Sequence, residues 1–290
     1  MSSPNNSLFM RFPNGLAKAL TLSYDDGVKE DIRLVEILNR YGIKGTFNIN
    51  SGQYSDGTPS RLERTWGQRM TYAQATELYK NSPHEVALHA HTHPWLEKLP
   101  MAQVVYEVMK NREILEEQFG TVVRGMAYPF GTYSDEVVEA LRACGVAYSR
   151  TTKSTMEFDV PTDWLRMPAT CHHIKPELFA LADRFLAEAS NAKTQPKLFY
   201  LWGHSYEFAR DDNWDVIERF CELMGGREDI WYATNMEIYE YVEAYRSLIF
   251  SADMRIVQNP TAKAVWFYFR EKLFKVEAGG STVLYELPKA

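Results

Sequence analysis

The sequence predicts an α/β fold: a distorted (β/α) barrel of seven or eight strands with a small C-terminal β appendage. Short apolar runs alternate with segments of helical spacing along most of the 290 residues, which is the pattern of a parallel sheet connected by helices. Polar or glycine-containing turns follow the apolar runs, as they do at the carboxyl ends of barrel strands. From about residue 250, apolar residues alternate without helical spacing, which predicts the appendage.

The first elements form a βαβ unit. Leu20 and Leu22 belong to an apolar strand that ends at Asp25-Asp26-Gly27, and residues 32–38 carry apolar side chains at helical spacing. Residues 45–50 are predicted as a second strand. A strand, a helix and a strand within about thirty residues predict parallel pairing, because parallel strands require a crossover connection.

The same alternation continues along the chain. Thr71 and Ser134 are suitable N-caps, and Gly120 and Gly145 follow predicted helices. Residues 51–70 predict an excursion over the strand ends. The further predicted strands are residues 85–88, 122–127, 146–149, 164–167, 197–202 and 230–233, and the further predicted helices are residues 71–80, 101–119, 134–143, 176–189, 214–224 and 235–248. We expect residues 1–249 to form the barrel and residues 250–290 to form the appendage packed on it.

Composition and charge exclude several classes of protein. Acidic residues outnumber basic ones by 38 to 32, which gives a net charge of −6 and no basic surface of the kind that binds nucleic acid. No apolar stretch approaches the roughly twenty residues of a membrane span, and the first residues lack the basic and apolar regions of a signal peptide. We therefore expect a cytoplasmic protein without nucleic-acid or membrane partners.

Two clusters of ionisable residues lie at predicted strand ends. Asp25 and Asp26 are adjacent, and neighbouring carboxylates repel each other unless a cation shares their charge or they have different functions. His89, His91 and His93 follow the strand at residues 85–88. Imidazoles together with a carboxylate are the usual ligands of a catalytic divalent metal. The spacing leaves His91 open as a third histidine ligand, because all three imidazoles share a face on an extended strand.

Four segments, in this order, resemble the motifs of the polysaccharide deacetylases, carbohydrate esterase family four, which share a NodB-homology domain. They are Ser-Tyr-Asp-Asp-Gly at residues 23–27, His-Ala-His-Thr-His-Pro at residues 89–94, Tyr-Pro-Phe-Gly at residues 128–131 and Leu-Trp-Gly-His at residues 201–204. The resemblance extends from about residue 19 to residue 236. It implies a metal-dependent hydrolase that removes N-linked acetyl groups from an amino sugar or an acetylated oligosaccharide or polysaccharide.

The resemblance also implies the metal ligands. Asp26, His89 and His93 correspond to the carboxylate and the two imidazoles that hold one divalent metal ion, for which zinc is the expected element. His91 corresponds to a variable position, so its expected place is near the ligands or the substrate.

Catalytic and substrate-binding roles follow from the same resemblance. Asp25 corresponds to the general base and His204 to the general acid for the leaving amine. The backbone N–H of Phe130 is expected to stabilise the oxyanion, and Tyr128 belongs to the same motif. Trp202 stands where the family has leucine, and a larger aromatic side chain suits a sugar face or ordinary core packing. Amide hydrolysis requires these parts: an activated water, a Lewis acid, oxyanion donors and a proton for the nitrogen.

One position departs from the family in a way that matters for the base. The third motif usually carries an arginine that pairs with the base, and Ala127 stands there instead. Arg166, at the end of a predicted strand, is the expected substitute. Arg124 is expected to point away, because an odd offset on a strand turns a side chain to the other face.

Other functions remain open from the sequence. The same scaffold could cleave an amide that is not part of a sugar. Two histidines and one carboxylate also hold the iron of non-haem oxidases, although a carboxylate beside the metal ligands favours hydrolysis. A carbohydrate-binding protein without a metal is disfavoured, because candidate ligands, base and acid are all present.

Overall fold

The computed structural model describes residues 7–58, 66–189 and 191–286. Its strands are β1 (Leu8–Arg11), β2 (Lys18–Asp25), β3 (Gly45–Ile49), β4 (Glu85–Leu88), β5 (Gly125–Ala127), β6 (Tyr148–Ser154), β7 (Met167–Ala169), β8 (Cys171–His172), β9 (Lys197–Gly203), β10 (Ile230–Tyr232), β11 (Ile249–Phe250), β12 (Ile256–Gln258), β13 (Val265–Phe269), β14 (Lys272–Val276) and β15 (Ser281–Val283). Its α-helices are α1 (Asp31–Arg40), α2 (Tyr72–Tyr79), α3 (Met101–Phe119), α4 (Asp135–Ala143), α5 (Leu178–Ala187), α6 (Ser205–Arg210), α7 (Trp214–Met224) and α8 (Asn235–Arg246). Within these ranges, every helix is too short or too polar to cross a lipid bilayer.

A parallel sheet forms the barrel, as the sequence predicts. The strands pair in the order β7-β6-β5-β4-β3-β2-β9-β8, and β10 joins the first residues of β2. Thr170 separates β7 from β8; β7 pairs with β6 and β8 pairs with β9, so one stretch of chain closes the ring. The Thr170 N–H donates to the carbonyl of Tyr200, and the Tyr200 N–H donates to Thr170 Oγ1. These two hydrogen bonds join the closing stretch to β9.

The helices lie outside the sheet and bury their apolar faces against it. Leu34 and Leu38 of α1 are fully buried in the main core, because apolar residues three and four apart share one face of a helix. Thr71 caps α2 by accepting the N–H of Gln74 at 3.2 Å. Gly120 ends α3 with a φ of 68°, a left-handed conformation that favours glycine.

Several elements differ from the sequence-based prediction, and three of them bear on the site. β6 continues to Ser154, five residues beyond its predicted end at 149, because β5 and β7 offer pairing partners on both sides. Residues 164–166 form a 3-10 turn and not a strand. α6 was not predicted, since its six residues are too few to show a helical period.

The C-terminal strands form two small antiparallel sheets, β1-β13-β14 and β11-β12-β15. Val257, Phe267, Phe274 and Val276 are buried in a hydrophobic cluster of their own. β1 comes from the N-terminal part of the chain and pairs with β13 along its whole length. Residues from both ends of the chain therefore build the appendage, and the division near residue 249 stays a prediction.

Candidate active site

The carboxyl ends of the barrel strands surround a pocket of about 370 Å³. Loops after β2, β4, β5 and β9 bring side chains to it, as expected for this edge of a parallel barrel. Eight of the residues singled out from the sequence line the pocket, whereas His91 and Arg166 are not among its lining residues: the eight are Asp25, Asp26, His89, His93, Tyr128, Phe130, Trp202 and His204.

Asp26, His89 and His93 form a group whose potential ligand atoms lie within 4.8 Å of one another. Asp26 Oδ1 is 3.9 Å from His89 Nε2 and 3.7 Å from His93 Nε2. This oxygen is buried and accepts no hydrogen bond from the described residues, although the Nη2 of Arg69 lies 2.9 Å away. A buried carboxylate oxygen that faces two imidazole nitrogens fits a divalent metal.

The backbone and the second nitrogen of His89 orient this group. Asp26 and His93 have φ values of 88° and 59°, a conformation that costs energy outside glycine and recurs at functional sites. His89 Nδ1 lies 2.8 Å from the carbonyl oxygen of Ala127, to which it can donate. That hydrogen bond leaves Nε2 of His89 free to serve as a ligand.

The charge states of the three residues also suit a metal. Burial lowers the pKa of His89. Burial, together with the charge of His89, lowers the pKa of His93 to about 4. Burial raises the pKa of Asp26, but the charge of Arg69, followed by that of His204, outweighs burial and holds the pKa well below its ordinary value. Neutral imidazoles and an ionised carboxylate are the forms that bind a metal.

Asp25 is held by Arg150, a residue that the sequence did not point to. The Nη2 of Arg150 pairs with Asp25 Oδ2, and both side chains are buried. Asn48 Nδ2 donates to the other carboxylate oxygen at 2.8 Å. Burial raises the pKa of Asp25, but the charge of Arg150, followed by those of two histidines, lowers it below its ordinary value. Asp25 is therefore ionised at neutral pH, as a general base must be.

The prediction that Arg166 steadies Asp25 is wrong. Arg166 donates to Asp163 at 2.9 Å and to Asp135 of α4 at 2.6 Å, on the protein surface. Its side chain leaves a 3-10 turn toward α4 and not toward the barrel interior. Arg124 does not replace it, because its Nε donates to the carbonyl of Gly145.

Trp202 packs against Arg150, the arginine that pairs with Asp25. The guanidinium carbon of Arg150 lies 4.3 Å from the centre of the Trp202 ring. A guanidinium stacked on an indole gains cation–π attraction and loses rotational freedom. Trp202 also lines the pocket, so its ring can contact substrate on one side while it fixes Arg150 on the other.

His204 lies between Asp25 and a second carboxylate, Glu207 of α6. Its Nε2 is 3.9 Å from Asp25 Oδ2 and its Nδ1 is 3.4 Å from Glu207 Oε2. Burial lowers the pKa of His204, but Glu207 and then Asp25 raise it above its ordinary value. A raised pKa at His204 beside a lowered pKa at Asp25 is the arrangement that suits an acid–base pair. Neither motif spacing nor polarity pointed to Glu207 as the partner of His204.

Aromatic side chains form the mouth of the pocket. Phe130 has a φ of 58° and its ring stacks on Trp95 at 3.9 Å with an angle of 10° between the planes. Trp66 meets Tyr206 edge to face at 6.3 Å on the pocket wall. Tyr128 lines the pocket with its ring, while its hydroxyl donates to the carbonyl of Leu165 at 2.7 Å.

His91 lies behind the ligands. Its Nδ1 is 3.0 Å from Ser51 Oγ, and this hydroxyl in turn accepts from Asn111 Nδ2 at 2.9 Å. The side-chain oxygen of Asn111 accepts the backbone N–H of His89 at 3.0 Å. His91 is thus connected to a ligand through two side chains and does not face the pocket.

Comparison with solved structures places this barrel among known deacetylase folds. A putative polysaccharide deacetylase from Mycobacterium smegmatis is 16% identical and superposes with a TM-score of 0.58, covering 84% of this chain and 96% of that chain. A family 4 carbohydrate esterase from Streptomyces lividans, solved in complex with acetate, is 15% identical with a TM-score of 0.48 over 75% of this chain and 93% of that chain. At these identities the first comparison supports the fold and no more.

A third structure covers less of the chain. The Streptococcus pyogenes deacetylase PplD, in complex with acetate, is 20% identical with a TM-score of 0.43 over 50% of this chain, and the present chain spans 62% of that chain. No curated protein sequence matches.

The family assignment rests on a sequence model. Residues 13–149 match the model of the polysaccharide deacetylases. The matched segment includes Asp25 at the end of β2, Asp26 directly after it, and the loop after β4 with His89 and His93. It therefore covers part of the pocket, whereas Trp202 and His204 lie beyond it. Residues 13–149 are a polysaccharide deacetylase domain, of the kind found in carbohydrate esterase family four.

Proposed function

We propose that this chain is a metal-dependent N-deacetylase of an amino sugar or of an acetylated oligosaccharide or polysaccharide. The family model that residues 13–149 match is that of the polysaccharide deacetylases, which supports a hydrolytic deacetylase. One observation carries the finer proposal: the group of Asp26, His89 and His93 lies in one pocket with Asp25, whose pKa is lowered, and His204, whose pKa is raised. A binding protein has no need for a base and an acid of opposite charge state beside a metal-type group.

The reaction adds water across an N-acetyl bond, giving acetate and a free amine. Asp26, His89 and His93 would hold a divalent ion, with zinc as the expected element, and this ion would supply Lewis-acid polarisation of the carbonyl and lower the pKa of water. Asp25 takes a proton from the attacking water, and Arg150 and Asn48 keep its carboxylate oriented. The Phe130 N–H donates to the oxyanion. His204 gives a proton to the departing nitrogen.

The mouth of the pocket supports a sugar substrate. Trp95 and Trp66 are about half exposed, each in contact with a second aromatic ring, Phe130 or Tyr206. Flat aromatic surfaces beside a polar site suit the apolar faces of pyranose rings. A pocket of about 370 Å³ has room for an acetamido group and the ring that carries it.

Acetate release tests the proposal. Zinc-loaded protein is offered N-acetylated amino-sugar oligomers, O-acetylated xylan and a small N-acetyl amide, with Asp25→Asn as the matched variant. We expect acetate from the amino sugars, and a turnover about 10²–10⁴-fold lower in Asp25→Asn with unchanged zinc content. Release from the small amide alone would identify a non-sugar amidase, and oxygen uptake by iron-loaded protein would identify an oxidase.

A further inference from the structure

Two histidines outside the pocket converge on the carboxylate that faces His204. His172 ends β8 and His173 follows it. Their Nε2 atoms each lie 3.2 Å from Glu207 Oε2. The same oxygen accepts the backbone N–H of His204 at 3.2 Å. His172 and His173 are absent from the pocket lining. Any effect that they have on the reaction is therefore transmitted through Glu207.

Three of these side chains, His172, His173 and Glu207, could in principle hold a metal, since their ligand atoms lie within 4.8 Å of one another. The surroundings of Nδ1, the other ring nitrogen of each histidine, argue against a metal. The backbone N–H of Ile174 donates to His172 Nδ1 at 3.2 Å, so Nδ1 is unprotonated and a neutral His172 carries its proton on Nε2. A metal-bound imidazole has the reverse arrangement, with a proton on the nitrogen away from the metal.

His173 points to the same conclusion. Its Nδ1 is buried and has no hydrogen-bond partner among the described residues, whereas a ligating histidine normally donates its other N–H. The ring stacks on Phe208 at 4.1 Å, and a Cβ at Gly203 would overlap it. Burial lowers the pKa of His173 to about 4, so it is neutral. A neutral ring with its proton on Nε2 donates to Glu207 and leaves a lone pair, not an N–H, without a partner.

We propose that His172 and His173 are positioning residues: each donates its Nε2–H to Glu207, and the carboxylate fixed in this way holds His204 with Nδ1 toward Glu207 and Nε2 toward the pocket. Three donors on one oxygen offset the cost of burying the charge. They lower the pKa of Glu207 against the raising effect of burial. This inference rests on the proposed function only for the role of His204 as the acid.

Other charges face the same group and enter the pH dependence. Asp25 and Asp26 attract a protonated His204. The Nη2 of Arg210 lies 3.9 Å from Glu207 Oε1. The ionisable groups that face His204 or Glu207 are Asp25, Asp26, His172, His173, Tyr206 and Arg210. Of these, His172 can be changed without touching a candidate ligand or the base.

Nitrogen NMR on histidine-labelled, zinc-loaded wild-type protein gives the first readout and needs no activity. We expect His172 and His173 as Nε2–H tautomers. His172→Leu removes one donor and should lower the pKa of His204 by on the order of one unit, while His172→Gln, which keeps a donor of similar reach, should restore it. The alkaline limb of kcat against pH should move in the same way, with KM unchanged.

His84→Gln is the matched control, because His84 also uses both ring nitrogens, toward Gly45 and Asn39, at the opposite edge of the barrel. It should lower Tm and leave the His204 titration in place. An Nδ1–H tautomer on wild-type His172, or an unmoved titration in folded His172→Leu, overturns the proposal. A second zinc per chain that is lost in His172→Leu overturns it in favour of a metal site. If no substrate is deacetylated, the tautomers still decide this inference.

Discussion

Arg150 and Ala127 are register partners on the neighbouring parallel strands β6 and β5. Partners in register point to the same side of a sheet, so the guanidinium of Arg150 enters the barrel beside the position where the family places its arginine. The pairing of Asp25 with an arginine is therefore kept, one strand further along. Trp202, under the guanidinium, stands where a leucine is usual, so the two departures from the family pattern meet in a single contact.

An arginine at position 127 in place of Arg150 should restore the pairing with Asp25. Arg150→Ala leaves Asp25 buried without its cation, which should cost about 3–5 kcal/mol of unfolding free energy and most of the turnover. Adding Ala127→Arg in the same chain should recover part of both, since the new side chain starts from the adjacent strand. Urea unfolding and acetate release measure the two effects. If Arg150→Ala and the double variant lost equal stability and turnover, an arginine at position 127 would not replace Arg150.

Arg166→Ala is the control for that experiment. Its partners, Asp135 and Asp163, are exposed, and surface ion pairs contribute about 0–1 kcal/mol. We expect stability within about 1 kcal/mol of the wild type and unchanged kcat. A large loss of kcat in this variant would return Arg166 to the reaction.

Metal content should separate the three histidines after β4. His89→Ala or His93→Ala removes a nitrogen that faces Asp26 Oδ1, so neither variant should retain zinc after dialysis. His91→Ala breaks a hydrogen bond to Ser51 and should keep one zinc per chain. Elemental analysis decides; stoichiometric zinc in His89→Ala would show that the ligand set is different.

His204→Ala should spare the metal and slow the departure of the amine. An activated phenyl ester needs no proton on its leaving group, so the variant should lose far less rate on the ester than on an N-acetyl sugar, where general acid catalysis contributes about 10²–10⁴-fold. Single-turnover rates on both substrates measure the difference. Equal losses would argue that His204 acts in some other step.

Asp31 predicts a pH dependence of stability unrelated to turnover. It is fully buried, and it accepts from Ser205 Oγ at 2.6 Å and from Tyr79 OH at 2.9 Å. Burial raises its pKa from 3.8 to about 7. Between these values the folded chain holds a proton that the unfolded chain has lost, so this carboxyl makes stability fall as pH rises from about 4 to about 7.

Asp31→Asn removes that proton equilibrium. The variant should show a flatter stability curve across this window, with the largest relative gain near pH 8, on the order of a few kcal/mol. Urea unfolding at pH 5 and pH 8 measures it. A wild-type slope that the variant retains in full would place the titrating group elsewhere.

The sequence sufficed where a function depends on residues close together in the chain. Asp25 and Asp26 are adjacent, His89 and His93 are four apart, and the alternation of strands and helices predicted the edge at which they meet. The sequence did not point to Arg150 because the predicted strand ended at Ser149. Only pairing with β5 and β7 extends this strand. Nothing in the local sequence distinguishes Arg150 from Arg166. They differ because β6 carries Arg150 into the barrel, whereas Arg166 leaves a 3-10 turn toward α4.

The sequence did not predict the pairing of Glu207 with His204 for a related reason. A glutamate three residues after a histidine, in a helix of six residues, has the pattern of an exposed first turn. It faces inward because α6 packs beside α1, where Ser205 donates to Asp31. Long-range contacts of this kind leave no periodic signal in the chain.

The closure of the barrel at Thr170 connects β8 to the surroundings of His204, the proposed acid. His172 lies two residues beyond the hydrogen bonds that join Thr170 to Tyr200, and the N–H of His173 donates to the carbonyl of Trp202. A slip in the pairing of β8 with β9 would carry both imidazoles away from Glu207 together. We therefore expect substitutions that weaken the pairing of β8 with β9, far from any substrate, to change the pH dependence of turnover before they prevent folding.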